Sequence, residues 1–236
     1  MKMNELWKLG VCLGALVMMG QAEEPAELKF EKTPSWDLTC EVFSLPLSEA
    51  AKLKRAGKTD REDYAELVKR VEAGKVGQEE FLMMRVIAGG LVTLEEIKEM
   101  IYATEYDPPE MPNQIGDLAE NIEAARNLIS PANPTAFETK NVGTTLKVEL
   151  VPSEKEKVDL GVTLTLVDFL GRQTWGQWVA EAEMPRFTEQ NLKSQLKVRL
   201  DSPTLLGSLS PPAALQAKEG EREVWLAFVT VSSSKE

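Results

Sequence analysis

The chain has 236 residues, with 27 Lys and Arg against 38 Asp and Glu, a formal net charge of −11 and no histidine. That balance excludes a phosphate-binding surface for nucleic acid, which needs clustered cations, and disfavours adhesion to anionic lipid headgroups. Without histidine there is no Ser-His-Asp or Cys-His catalysis, and the commonest zinc ligand is missing.

In chain order, residues 1–22 read as an export signal. Lys2 and Lys8 are its positive end, Leu9–Met19 its apolar core, and "GQA" with Ala22 its cleavage site. The apolar run is shorter than the ~20 residues of a membrane-spanning helix. Loss of the signal makes the remaining chain one unit more acidic and leaves Cys40 as its cysteine, so no intramolecular disulfide is expected. Cys40 is read as a small buried hydrophobe. Residues 23–35 form an N-terminal extension.

"SWDLTCEVFSLP" predicts a strand, with Leu38, Cys40 and Val42 on one face and Thr39, Glu41 and Phe43 on the other. Ser48 is placed to cap a short helix that stops at Gly57. Thr59 or Asp60 starts a second helix, whose Tyr64, Leu67, Val68 and Val71 form a core stripe and which Gly74 ends. Gly89-Gly90 fits a turn between "FLMMRVIA" and "LVTLEEIKEMIY", although "LEEIKEMI" alone has helical propensity. In "YATEYDPPEMPN", Pro108, Pro109 and Pro112 exclude both a helix and a central strand. Residues 115–129 form an amphipathic helix, and 130–134 a linker.

Beyond this point the apolar period becomes two. "LKVELV" alternates, as does "VDLGVTLTLVDF", where Val158, Leu160, Val162, Leu164 and Leu166 share a face. "SQLKVRL" alternates too, and "EVWLAFVTV" is almost continuously apolar. The expected fold class is α+β, mainly antiparallel β with helical insertions. Residues 158–169 are also long enough for a transmembrane strand, which needs about 9–11 residues, but the same alternation suits a half-buried soluble strand.

No nucleotide-binding glycine motif or cysteine cluster is present, and no carboxylate pair stands out by its spacing. The expectation is therefore a non-enzyme with no catalytic residue, metal site, cofactor or small-molecule ligand. Trp175 and Trp178, in "RQTWGQWVAE", are candidate interaction anchors, with packing at a hairpin end as the plainer alternative.

These segments resemble, in order, the secretins, the ring-forming outer-membrane channels of type II and III secretion and of type IV pili. "WDLTCEVFSLP" resembles the strand that opens the secretin core. "YATEYDPPEMP" resembles a Tyr-Pro-Thr-Glu-Tyr/Phe-Asp-Pro-Pro strip of one subgroup, with Ala103 in place of a proline. "PTAFETKNVGTTLKVELV" resembles the Phe-Glu-x-x-x-Val-Gly entry to a strand of alternating Leu and Val. "VDLGVTLTLVDF", residues 184–212 and "EVWLAFVTV" resemble the regions that follow. The resemblance spans residues 36–231. The chain from residue 36 is expected to divide into an N-terminal part of the core with a helical insertion (36–112), a helix and linker (113–134), a C-terminal β part (135–231) and a tail (232–236). The resemblance singles out Pro108, Pro109, Phe137, Asn141, Val142 and Gly143 as structural positions. Gln190 stands where an arginine is usual, Ser202 and Ser208 replace glycines, no Thr-Pro-Arg follows "EVWLAFVTV", and the expectation is a core without separate N-terminal ring domains. The resemblance implies an envelope protein of the periplasm or outer membrane that self-associates or binds other envelope proteins. An accessory or structural component of a secretion or pilus system ranks ahead of a channel subunit, with an unrelated surface or periplasmic binder as a further alternative.

Overall fold

The computed structural model describes residues 34–110, 130–176, 180–211 and 222–234. The expected signal, the helix at 115–129, Pro112 and Trp178 lie outside the described residues. The elements are β1 (Ser35–Pro46), α1 (Leu47–Arg55), α2 (Asp60–Glu72), β2 (Gly77–Ile87), β3 (Leu91–Asp107), β4 (Asn133–Glu154), β5 (Lys157–Trp175), β6 (Ala182–Arg199), β7 (Thr204–Leu209) and β8 (Glu223–Ser233). All strand pairs are antiparallel, in two four-stranded sheets ordered β2-β1-β8-β7 (sheet A) and β3-β4-β5-β6 (sheet B). The chain is thus α+β and mainly antiparallel β. Its first and last strands are neighbours, so the front and back halves of the sequence build sheet A together.

The two sheets pack face to face. Leu38, Cys40 and Val42 of β1 and Ala227, Val229 and Val231 of β8 meet Leu146, Val148 and Leu150 of β4 and the whole Val158–Leu166 stripe of β5. The stripe's partner is therefore sheet A, and the alternation of β5 marks a protein core, not a lipid-facing surface. The other face of sheet A is covered by the helices, where Phe43, Leu45, Leu226 and Phe228 pack with Leu53 and Leu67. This three-layer order explains the unbroken apolar run of β8. As a central strand it is buried on both faces, so neither set of alternate side chains meets water.

Local chemistry sets the helix ends. Thr59 caps α2 in a capping box: its hydroxyl accepts from Glu62 N–H at 3.3 Å, while Glu62 Oε2 accepts from Thr59 N–H at 2.8 Å. That bond, first, holds the Glu62 carboxyl below the ordinary range. The cap of α1 differs from expectation. Pro46 is its N-cap residue, without a side-chain cap, and Ser48 lies inside the first turn. Proline suits that place because its missing N–H leaves no donor unsatisfied there. Lys54 ties the helices together, donating to Asp63 at 2.8 Å and Asp60 at 3.1 Å.

Residues 91–107 are strand throughout, "LEEIKEMI" included. Pairing with β4 along their whole length outweighs the local helical preference, a difference of only tenths of a kcal/mol per residue. "YATEYD" is likewise paired strand, against residues 133–138, and only Pro108 and Pro109 follow the strand's end. The anticipated linker at 130–134 is partly β4, which begins at Asn133.

Candidate functional site

Sheet B is much longer than sheet A. Its strands have 17, 22, 19 and 18 residues, so β4 alone extends about 75 Å at ~3.4 Å per residue. The strand halves that reach past sheet A form two hairpin arms. β4 pairs with β5 only as far as Gly143↔Val167. Beyond that point β3 and β4 stay paired to Asp107↔Asn133, and β5 and β6 to Trp175↔Ala182.

The arms separate at Gly143 and then lie against each other. The Tyr102 ring on β3 rests 5.5 Å from the Phe187 ring on β6, which in turn lies 5.9 Å from Phe169. Lys140 pairs with Glu189 at 3.0 Å, and Tyr106 Oη donates to the Glu183 carbonyl at 2.9 Å. Met100, Tyr102, Phe137, Arg172 and Pro185 border a cavity of about 240 Å³ in this region. β3 and β6, the two outer strands of sheet B in its packed half, are thereby brought together in its projecting half.

The positions singled out in the sequence cluster here. Gly143 sits where the arms part, with φ +128°, and a Cβ there would fall 2.1 Å from the Glu96 carbonyl oxygen. Only glycine accepts both that dihedral and that approach. Asn141 and Val142 precede it on β4. Phe137 is on the β3–β4 arm, 58% exposed, and Trp175 is at the tip of the other arm, 55% exposed. Pro108 and Pro109 end β3. Together these residues shape and bound the arms and bring no reactive groups into contact. Among the described residues no group of three or more Cys, Asp and Glu is placed to hold a metal, and no helix is long and apolar enough to cross a membrane.

Sequence reasoning did not identify the open sides of the sandwich. β2 and β3, joined by the turn at 88–90, are the outer strands of the two sheets on one side. β6 and β7, joined through residues 200–203, are the outer strands on the other. Each of these four has a single strand neighbour among the described residues. Edge status depends on the pairing of distant segments, so no local pattern marks it. β2 also carries exposed Phe81, Met83 and Ile87. A second feature, a groove of about 1140 Å³ beside the helices, is lined by Glu49, Lys52, Lys58, Glu66, Arg70 and Lys75 among others. Ion pairs inside it engage Lys58 with Glu66 and Arg70 with Glu49 and Glu66.

No protein-family model matches the chain, and no curated protein matches it. Among solved structures the chain is similar to the InvG secretin domain β-barrel of the Salmonella SPI-1 injectisome, at 8% identity and a TM-score of 0.45, over 86% of this chain and 64% of that one. It is similar to the V. cholerae type IV competence pilus secretin PilQ at 10% identity and 0.46, over 87% and 62%. It is also similar to the type II secretion system secretin GspD of E. coli K12 at 10% and 0.43, over 87% and 51%. The chain spans less than two thirds of the length of each.

Proposed function

We propose that this chain is a non-enzymatic structural protein of a Gram-negative-type cell envelope. It has a secretin-like β core and serves a secretion or pilus system by associating with further copies of itself or with other envelope proteins. One observation carries the reading: the sandwich has two open sides, β2 and β3 on one and β6 and β7 on the other. Unpaired strand edges template further pairing. Edges on opposite sides suit a head-to-tail contact, and such contacts close into rings when the rotation allows.

A second reading, closure into a channel subunit ring, is favoured by the length of β3 to β6 and by their projection past sheet A. Light scattering of the exported chain, with and without detergent, tests both. An assembly of many subunits that persists in detergent supports the ring, and conductance across a bilayer then becomes the next measurement. A monomer that captures a different envelope protein supports the accessory role. A monomer that forms no complex with secretion or pilus components overturns the proposal in favour of an unrelated binder.

A further inference from the structure

The arms leave the sandwich through a polar neck. Across the inner face of sheet B the register sets Glu96, Thr144, Leu166 and Gln190 in one row, with Asp168 one step beyond on β5. Sheet A contributes Glu80 of β2, and Thr144 Oγ1 donates to Glu80 Oε1 at 2.5 Å, joining the two sheets. Glu79, next along β2, accepts from Ser44 Oγ at 2.5 Å. Gln190 is 8% exposed. Both of its amide atoms and Asp168 Oδ2 are buried without a hydrogen-bond partner.

Four carboxyls from β2, β3 and β5 thus converge on the place where β4 leaves β5. Glu80 and Asp168 are part-buried, while Glu79 and Glu96 are exposed at the rim. Among the described residues neither Glu80 nor Asp168 is in an ion pair. Lys98 follows Glu96 on the same face of β3 and is exposed. On the arms, Lys140 is engaged by Glu189. On the helix side, Glu79 borders the groove that holds Lys52, Lys58, Arg70 and Lys75, of which Lys58 and Arg70 are engaged by acids of the groove. On β1, the buried Cys40 thiol is pushed up to about 12, by burial first and then by Glu80 and Glu41.

We propose that this neck is an acid-operated latch: with Glu80 and Asp168 protonated the two sheets close at the root of the arms, and with both ionised the carboxyls repel and the root loosens. A protonated acid gains a donor in a place where Gln190 Oε1 is a buried acceptor without a partner, and Gln190 Nε2, also without a partner, is a donor for the oxygen of Asp168 that carries no proton. Gly143 supplies the pivot, since the pairing of β4 with β5 ends there. The direction agrees with the titration. Burial, foremost, raises Glu80, with Glu96, Asp168 and Glu79 adding to it and the Thr144 hydrogen bond opposing. Burial, then Glu79, raises Asp168. A carboxyl raised in the folded state contributes stability that is complete below the ordinary carboxylate range and is lost as pH rises through the raised value.

Hydrogen exchange of the full chain, normalised to intrinsic exchange rates at each pH, tests the latch. At about pH 4 the amides of residues 142–146 and 164–168 should be protected, and between about pH 4 and pH 8 protection should fall by about tenfold for each pH unit of difference in acid strength between the open and closed states. The Glu80→Gln, Asp168→Asn double variant should show the same protection at both pH values. Glu95→Gln and Glu149→Gln, which alter exposed acids, should keep the wild-type change. Wild-type protection at the root that does not vary with pH would overturn the latch whether or not the double variant folds. So would a pH response that survives in a folded double variant.

Discussion

Gly143 is the position where one atom decides most. A Cβ would strike the Glu96 carbonyl of the neighbouring strand, and the φ of +128° is closed to residues with side chains. Gly143→Val should therefore lower stability by about 1–3 kcal/mol, read as a lower urea midpoint. An unchanged unfolding curve would mean that β4 does not take this path. Glu41 is the other residue with local leverage. It is 6% exposed on the helix side of sheet A, and it accepts from Tyr64 Oη at 2.5 Å and from Gln78 Nε2 at 2.9 Å. The Tyr64 phenol is raised by burial first and by Glu41 second. Tyr64→Phe removes one bond to a buried carboxylate and should cost about 1.5–3 kcal/mol, measured by chemical denaturation. A shift within error would place the bond in exchange with water.

Among the elements, α2 depends on its cap and on Lys54. Thr59→Ala deletes half of the capping box and should cost about 1 kcal/mol, read as a lower urea midpoint. Lys54→Met has a larger predicted effect. Asp63 is fully buried with Lys54 as its cation, and leaving a buried carboxylate unpaired costs about 3–5 kcal/mol. Because Lys54 itself is partly exposed, the lower end of that range is expected, and the double variant Lys54→Met, Asp63→Leu should recover most of it. Failure to recover would mean that the loss came from packing. The exposed pairs Arg85–Asp37 and Lys197–Asp159 are screened by solvent and should contribute little to stability.

At the scale of the whole molecule, the charge of −11 opposes contact between copies, while the open edges and the exposed Phe81, Met83 and Ile87 favour it. Edge pairing and apolar contact survive screening, and repulsion between acidic surfaces does not. The mass from light scattering should therefore rise with salt between low and high ionic strength. Dissociation on adding salt would instead identify a charge-driven contact and exclude the edges as its basis.

The sequence alone determined the antiparallel β class, the two helices and their order, and the buried faces of β1, β5 and β8. Each follows from a local period or start signal that acts within one segment: alternation in Val158–Leu166, the helix start at Thr59 or Asp60, the continuous run of β8. The resemblance singled out Gly143, and the prolines after Asp107 marked a stop, because proline has no backbone N–H and a fixed φ wherever it stands. Only the tertiary structure decided that "LEEIKEMI" is strand, since its β4 partner lies more than thirty residues away and local propensity is the weaker force. It alone decided that the β5 stripe faces sheet A, that β2, β3, β6 and β7 are the outer strands of the two sheets, and that Glu80, Asp168, Thr144 and Gln190 share one neck. Those juxtapositions join strands far apart along the chain, and no spacing in the sequence encodes which distant edges and carboxyls meet.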